Sequence, residues 1–109
     1  MSQPRRDAGL HPTAGARFLL ERQSESDGHE GAVYRAVIYT PDDHFEYRAE
    51  MTLAGEWQLV VRDTPAGHEL ENKLGIIAKL VARSAKRKLA DDLPPWPHRV
   101  LRWRGPGRG

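Results

Sequence analysis

Cysteine is absent from the sequence, which also holds only two methionines and no long apolar run. Without a thiol there is no disulfide framework, no cysteine nucleophile and no thiolate ligand for a zinc or iron–sulfur site. No apolar stretch approaches the roughly 20 residues that a membrane-spanning helix needs. Arg5 and Arg6 near the start have no apolar stretch behind them, so we expect no signal peptide and a cytoplasmic protein without membrane contact.

The common motifs of catalysis are absent as well. There is no Gly-x-Ser-x-Gly hydrolase elbow and no Gly-Lys-Ser/Thr phosphate-binding loop. The segment 68–72 (HELEN) lacks the second histidine of the zinc-protease helix motif, so we interpret it as the first turn of a helix. His44 and Glu46, with Asp42 and Asp43 beside them, form a cluster that is typical of a solvated turn rather than of an acid–base or metal site. We therefore expect no enzyme activity, no cofactor and no metal.

Charge is distributed unevenly along the chain. Residues 1–72 hold seven Lys or Arg against thirteen Asp or Glu, whereas residues 73–109 hold ten against two. The net charge is +2, so the basic part either compensates the acidic part or binds an anionic partner. Arginine outnumbers lysine thirteen to four. Arginine favours phosphate recognition, but the codon usage of a GC-rich bacterial genome gives the same ratio and receives more weight here.

Four segments of the first part have the alternation of β-strands. They are residues 16–23, 32–40, 45–53 and 57–62. Segment 45–53 (FEYRAEMTL) alternates most regularly, which indicates one buried and one solvated face. Segment 32–40 is apolar on both faces, which favours a central strand covered on both sides. Short turns join the segments, so the sequence predicts an antiparallel meander of three to four strands.

One long helix follows the meander. We expect Thr64 as its N-cap and Pro65 as its first residue. An apolar stripe with helical spacing would then cover the sheet, and Gly75 within the helix indicates a close approach between the two. The fold class is therefore α+β. The predicted core comprises Phe45, Tyr47, Met51, Leu53, Trp57, Leu59, Leu70, Leu74, Ile77 and Val81.

Composition divides the chain into three parts. Residues 1–15 contain Pro and Gly and little that is apolar, so we expect a flexible N-terminal tail. Residues 16–92 form the single α+β domain. Residues 93–109 (LPPWPHRVLRWRGPGRG) form a basic Trp/Pro/Arg tail, in which 98–104 has the pattern of a short edge strand and the end is expected to be disordered.

Two sets of residues are candidates for binding. In the apolar set, Ile76 and Leu80 fall off the core stripe; either the tail folds back over them, which is the more economical arrangement, or they contact a partner. This interface set is Ile76, Leu80, Trp96, Val100 and Trp103. In the cationic set, the helix and the tail carry side chains suited to phosphates. These are Lys79, Arg83, Lys86, Arg87, Arg99, Arg102 and Arg104.

The sequence thus favours a small non-enzymatic binding or adaptor protein that acts through protein–protein contacts, a homodimer among them. The alternative is a nucleic-acid or polyanion binder that uses the cationic set. Salt dependence separates the two, because polyanion binding weakens steeply with salt and apolar association does not.

Overall fold

The computed structural model describes residues 9–105, which form a five-stranded antiparallel sheet with one helix on one of its faces. The α+β class is confirmed, and the sheet has one strand more than the predicted three to four. The strand order is β4-β3-β2-β1-β5. The elements are β1 (Ala16–Glu25), β2 (Gly31–Tyr39), β3 (His44–Thr52), β4 (Trp57–Val61), α1 (His68–Ala90) and β5 (Arg99–Arg104), with a short 3₁₀ turn at Asp27–His29.

The main core lies between α1 and the sheet. Alternation along β1, β2 and β3 directs one side chain in two toward the helix, and the helical spacing of α1 returns an apolar stripe to them. The predicted Tyr47, Met51, Leu74, Ile77 and Val81 are buried here, whereas the other predicted core residues are partly buried or exposed. The strongest additions to the predicted core are Phe18, Leu20, Tyr34, Ala36 and Ile38.

The opposite face of the sheet carries a second, smaller core. Leu19, Val37 and Tyr39 are buried there, with Leu10 packed against them. His11 Nδ1 lies 2.8 Å from the carbonyl oxygen of Thr40, and residue 12 is buried. Residues 9–15 therefore pack on the sheet, in contrast to the expected tail, because the apolar outer face of β1 and β2 needs a cover. Residues 1–8 lie outside the described part. The interpretation of β2 as a central strand is confirmed.

The segment after the helix returns to the sheet. β5 pairs with β1, and Trp96 is buried in the main core with 1% of its surface exposed. The indole Nε1 donates to the carbonyl oxygen of His29 at 3.0 Å, and Arg22 donates to that of Trp96 at 2.7 Å. Residues 93–105 are thus part of the domain and not a separate tail, because β5 satisfies the backbone hydrogen bonds of the β1 edge and the Trp96 indole fills space in the main core. The expected disordered end, residues 106–109, lies outside the described part.

The helix begins at His68, three residues after the predicted start, with Gly67 in place of Thr64 at the N-cap. Tyr47 explains the delay: its hydroxyl accepts from the backbone N–H of Ala66 at 2.8 Å and donates to Glu71 Oε2 at 2.6 Å. This anchor keeps the connection outside the helix up to Gly67, whose φ of 106° suits glycine.

Gly75 lies where α1 closely approaches Trp57 of β4. A Cβ atom at this position would lie 2.5 Å from the far edge of the Trp57 ring. The indole therefore lies flat across the glycine, which confirms the close approach inferred from the sequence. Trp57 was predicted to be in the core, but 41% of its surface is exposed because β4 is the edge of the sheet.

Gly75→Ala is expected to destabilise the protein by about 1 kcal/mol, although alanine favours an α-helix over glycine by a similar amount. The added Cβ forces the Trp57 ring away from the helix and removes its packing. Urea unfolding of Gly75→Ala, of Trp57→Ala and of the double variant checks this. In the Trp57→Ala background Gly75→Ala should stabilise the protein, and an equal effect in both backgrounds would contradict the contact.

Candidate binding surface

The exposed ridge of α1 is apolar in its middle and cationic toward its C-terminal end. Ile76 and Leu80 are 56% and 51% exposed. The segment after the helix therefore does not fold back over them, contrary to the more economical of the two predictions. Arg83 and Arg87 continue the same ridge at helical spacing and are exposed. Trp96 of the segment that was expected to cover the ridge is buried in the main core instead.

Alternation along β5 sends its side chains to opposite faces. Val100, Arg102 and Arg104 lie opposite Leu20, Phe18 and Ala16 of β1, and so share the helix-bearing face of the sheet. Leu101 and Trp103 occupy the other face, which carries the second core. The two arginines therefore face the flank of α1, and Trp103 does not.

A groove of about 400 Å³ runs between α1 and β5, which we call the α1–β5 groove. The flank of the helix supplies Ile77, Val81, Ser84 and Lys88 with Leu80 at its rim, and this spacing of four, three and four residues is that of one helical face. Lys88 was not in the predicted cationic set, although its spacing of four residues from Ser84 places it on this helical face. The described residues that line the groove are Ile77, Leu80, Val81, Ser84, Lys88, Pro97, Arg99, Val100, Leu101, Arg102 and Arg104, and they include no Asp or Glu.

The cations of this surface have no acidic partner within residues 9–105. The ion pairs found there join residues of β1 to β3, the 3₁₀ turn and the first turns of α1. Within residues 9–105, the guanidinium groups of Arg102 and Arg104 donate to the carbonyl oxygens of Leu101 and Trp103 and to no carboxylate. Arg99, Arg102 and Arg104 therefore carry positive charge that no carboxylate within residues 9–105 neutralises in an ion pair.

The predicted cationic set divides into three groups in space. Arg99, Arg102 and Arg104 line the α1–β5 groove. Arg83 and Arg87 lie on the exposed ridge of the helix. Lys79 and Lys86 are exposed on the flank of α1 that faces away from the groove. The seven cations therefore do not form one continuous basic surface.

The predicted apolar interface also divides. Trp96 and Val100 are buried inside the monomer, at 1% and 6% exposure, because β5 closes the main core. Neither presents a surface to a partner in this structure, which corrects their assignment to an interface. Trp103 is 51% exposed on the other face of the sheet, where its Nε1 donates to the carbonyl oxygen of Ala14 at 3.0 Å. Of this set, Leu80 and Val100 line the groove, and Ile76 lies one turn before Leu80 on the exposed ridge of α1.

Two other positions were considered for chemistry. His44 is exposed at the start of β3, with its ring centroid 6.2 Å from that of His11, and Glu46 pairs with Arg35. His68 is exposed at the first position of α1. Across residues 9–105 there is no group of three His, Asp or Glu side chains placed to hold a metal ion. In the same range, α1 is too short of apolar residues to cross a membrane.

The chain matches no model of a known protein family, no curated protein sequence and no solved structure. Its role is therefore inferred from the charge and shape of its own surfaces. The α1–β5 groove is the place where exposed apolar and unpaired cationic side chains of the described chain come together.

Proposed function

We propose that the protein is a non-enzymatic binding protein whose α1–β5 groove receives an extended acidic segment of a partner protein. The observation that carries this proposal is the lining of the groove, which combines an aliphatic floor with a cationic rim and, among the described residues, contains no carboxylate. Carboxylates of the segment would pair with Arg102 and Arg104, and its apolar side chains would lie on Ile77 and Val81.

The aliphatic floor favours a protein segment over single-stranded nucleic acid. Base recognition on single strands relies on aromatic side chains that stack on the bases. No aromatic residue lines the α1–β5 groove, because Trp96 is buried and Trp103 lies on the opposite face. Leu80, which is 51% exposed at the rim, instead offers an aliphatic surface beside the small exposed edges of Val81 and Val100.

The open edge of β5 supplies backbone hydrogen bonds to such a segment. Arg22 N–H donates to the His98 carbonyl oxygen at 2.9 Å, so residues 98, 100, 102 and 104 bond to β1. In an antiparallel pair the intervening residues direct their backbone groups away. Arg99, Leu101 and Trp103 therefore present donors and acceptors to an added strand, a recognition mode in which main-chain bonds give affinity and side-chain contacts give specificity.

The test uses a short fluorescent peptide that alternates glutamate and valine, with fluorescence anisotropy as the readout. We expect it to bind more tightly than a polyglutamate peptide of equal length, because the groove floor adds apolar contact. Arg102→Glu/Arg104→Glu should weaken binding about 100-fold, since each lost charge-assisted contact costs about 1.5 kcal/mol.

The matched control is Arg83→Glu/Arg87→Glu, which changes the net charge equally but lies outside the groove lining. Its effect should be several-fold at most. Equal losses from both double variants, or equal binding of the two peptides, would contradict a specific groove.

Binding of nucleic acid or another polyanion is the second candidate function. It is favoured by cations outside the groove that have no ion pair with any residue of 9–105, among them Lys79, Arg83, Lys86 and Arg87. In this case a short oligothymidine should compete with the peptide, affinity should fall steeply with salt, and both double variants should weaken it to the same extent. An oligothymidine that fails to compete with the peptide even at low salt would exclude nucleic acid as the ligand.

A further inference from the structure

The two edges of the sheet differ in charge. β5 carries Arg99, Arg102 and Arg104. β4 has no charged residue within its bounds (WQLVV). Its Trp57, Val60 and Val61 are each 41% exposed. Charged side chains are a common protection of an edge strand, so the arginines protect β5 against pairing with a second copy of itself, and β4 has no such protection.

The backbone of β4 is arranged to accept another strand. Thr52 N–H donates to the Glu56 carbonyl oxygen, and Arg62 N–H donates to that of Glu46, both at 3.0 Å. Even-numbered residues of β4 therefore bond to β3. Trp57, Leu59 and Val61 direct their N–H and C=O groups to the open edge.

We propose that this edge pairs with β4 of a second copy of the chain, antiparallel and about a two-fold axis at Leu59. The result is a continuous sheet of ten strands with both helices on the same face. This interface is independent of the α1–β5 groove, which lies at the other edge of the sheet.

The charges that flank β4 specify this register. With Leu59 opposite Leu59 of the second copy, the strands overlap along their whole length, and Trp57 lies opposite Val61 of the second copy. Glu56 then lies opposite Arg62 of the second copy, and the same pair occurs twice. Both side chains are exposed, and neither has an ion pair within the described chain. A shift of two residues in either direction shortens the overlap and separates these charges.

Apolar contact adds to the pairing. Trp57 and Val61 point to the helix-bearing face, where each is partly exposed in the monomer. In the proposed register the indole of each copy meets the valine of the other, and aromatic–aliphatic pairs across strands are stabilising. Self-pairing of β5 would instead bring three arginines against three more, which opposes a dimer at that edge.

Disulfide trapping tests the register directly, because the chain has no cysteine of its own. In Leu59→Cys the two introduced residues would face each other with Cα atoms about 5.5 Å apart, within disulfide range. In the control Gln58→Cys the introduced residues are offset along the strands to about 8 Å, beyond that range. Leu59→Cys should form a covalent dimer on mild oxidation and Gln58→Cys should not. Equal cross-linking, or none from Leu59→Cys, would overturn the register.

Charge exchange tests the interface without cysteine. The wild-type chain should dimerise by light scattering after size exclusion. Glu56→Arg and Arg62→Glu should each weaken the dimer about tenfold, because two attractive pairs become repulsive. These variants change the net charge in opposite directions, so a common loss cannot come from overall charge. Glu56→Arg/Arg62→Glu restores both pairs and should restore the dimer. A wild-type chain that stays monomeric, or a dimer indifferent to both single variants, would refute the proposal.

Discussion

Trp96→Ala is expected to lower the free energy of unfolding by about 3–5 kcal/mol, the usual cost of removing a large buried aromatic side chain. The indole is 1% exposed in the main core, and its Nε1 donates to the carbonyl oxygen of His29. Since small domains have about 5–15 kcal/mol of stability in all, the variant should be close to unfolding at room temperature. Urea titration followed by circular dichroism measures the loss.

Trp103→Ala is the matched control for this prediction. It removes an indole from β5, the strand that follows Trp96. Because the Trp103 side chain is half exposed, its removal should cost about 1 kcal/mol or less. Similar losses from both variants would contradict the separate burial of the two indoles. A chain ended at Asp92 loses Trp96, Val100 and β5 together, and should not fold cooperatively. Asp92 is accordingly not a boundary of the domain.

Alkaline pH is expected to unfold the protein through two buried tyrosines. Burial raises the pKa of Tyr47 to about 12, and its hydrogen bond to Glu71 also favours the neutral hydroxyl. Burial likewise raises the pKa of Tyr34, whose hydroxyl donates to the Pro97 carbonyl oxygen at 2.7 Å. In the unfolded chain both ionise near pH 10. Between pH 10 and about 12 the unfolded state thus loses protons that the folded state keeps.

The stability that the two neutral tyrosines contribute is therefore fully present below pH 10 and falls as the pH rises above it. Each tyrosine contributes a slope of up to about 1.4 kcal/mol per pH unit. Urea titrations at a series of alkaline pH values should show a steep decline in the wild-type chain. The decline should be shallower in Tyr47→Phe and in Tyr34→Phe.

Both phenylalanine variants lose hydrogen bonds and should start from lower stability at neutral pH. Tyr47→Phe leaves the Ala66 N–H without its acceptor, at a cost of about 1–3 kcal/mol. The slope with pH, rather than the starting stability, is therefore the diagnostic quantity. An unchanged slope in both variants would show that other groups cause the alkaline unfolding.

Regular alternation made much of the sheet predictable. Segment 45–53 gave β3 to within one residue, because its apolar and polar residues alternate without interruption. The start of the helix was predicted three residues early, because a hydrogen bond from Ala66 to Tyr47 keeps the connection outside the helix. That contact joins residues 19 positions apart, and local capping patterns carry no trace of it.

The binding surface was predictable in composition but not in arrangement. The excess of cations after residue 72 is plain in the sequence, and Arg102 and Arg104 were identified from it. Their position beside Ile77 and Val81 depends on the pairing of β5 with β1, the first strand of the sheet. Trp96 is buried because the segment after the helix packs along β1, and Trp57 is exposed because β4 is the outer strand at the other edge of the sheet.

By itself the sequence determined the α+β class, the long helix over an antiparallel sheet, and the separation of acidic from basic residues along the chain. These properties depend on side-chain periodicity and charge, which are local. The tertiary structure alone decided that Trp96 is core and Trp103 surface, that β5 forms one wall of a groove, and that β4 is left as an uncharged edge. The physical reason is that burial and edge position arise from pairing between distant segments, such as Trp96 with His29, 67 residues apart.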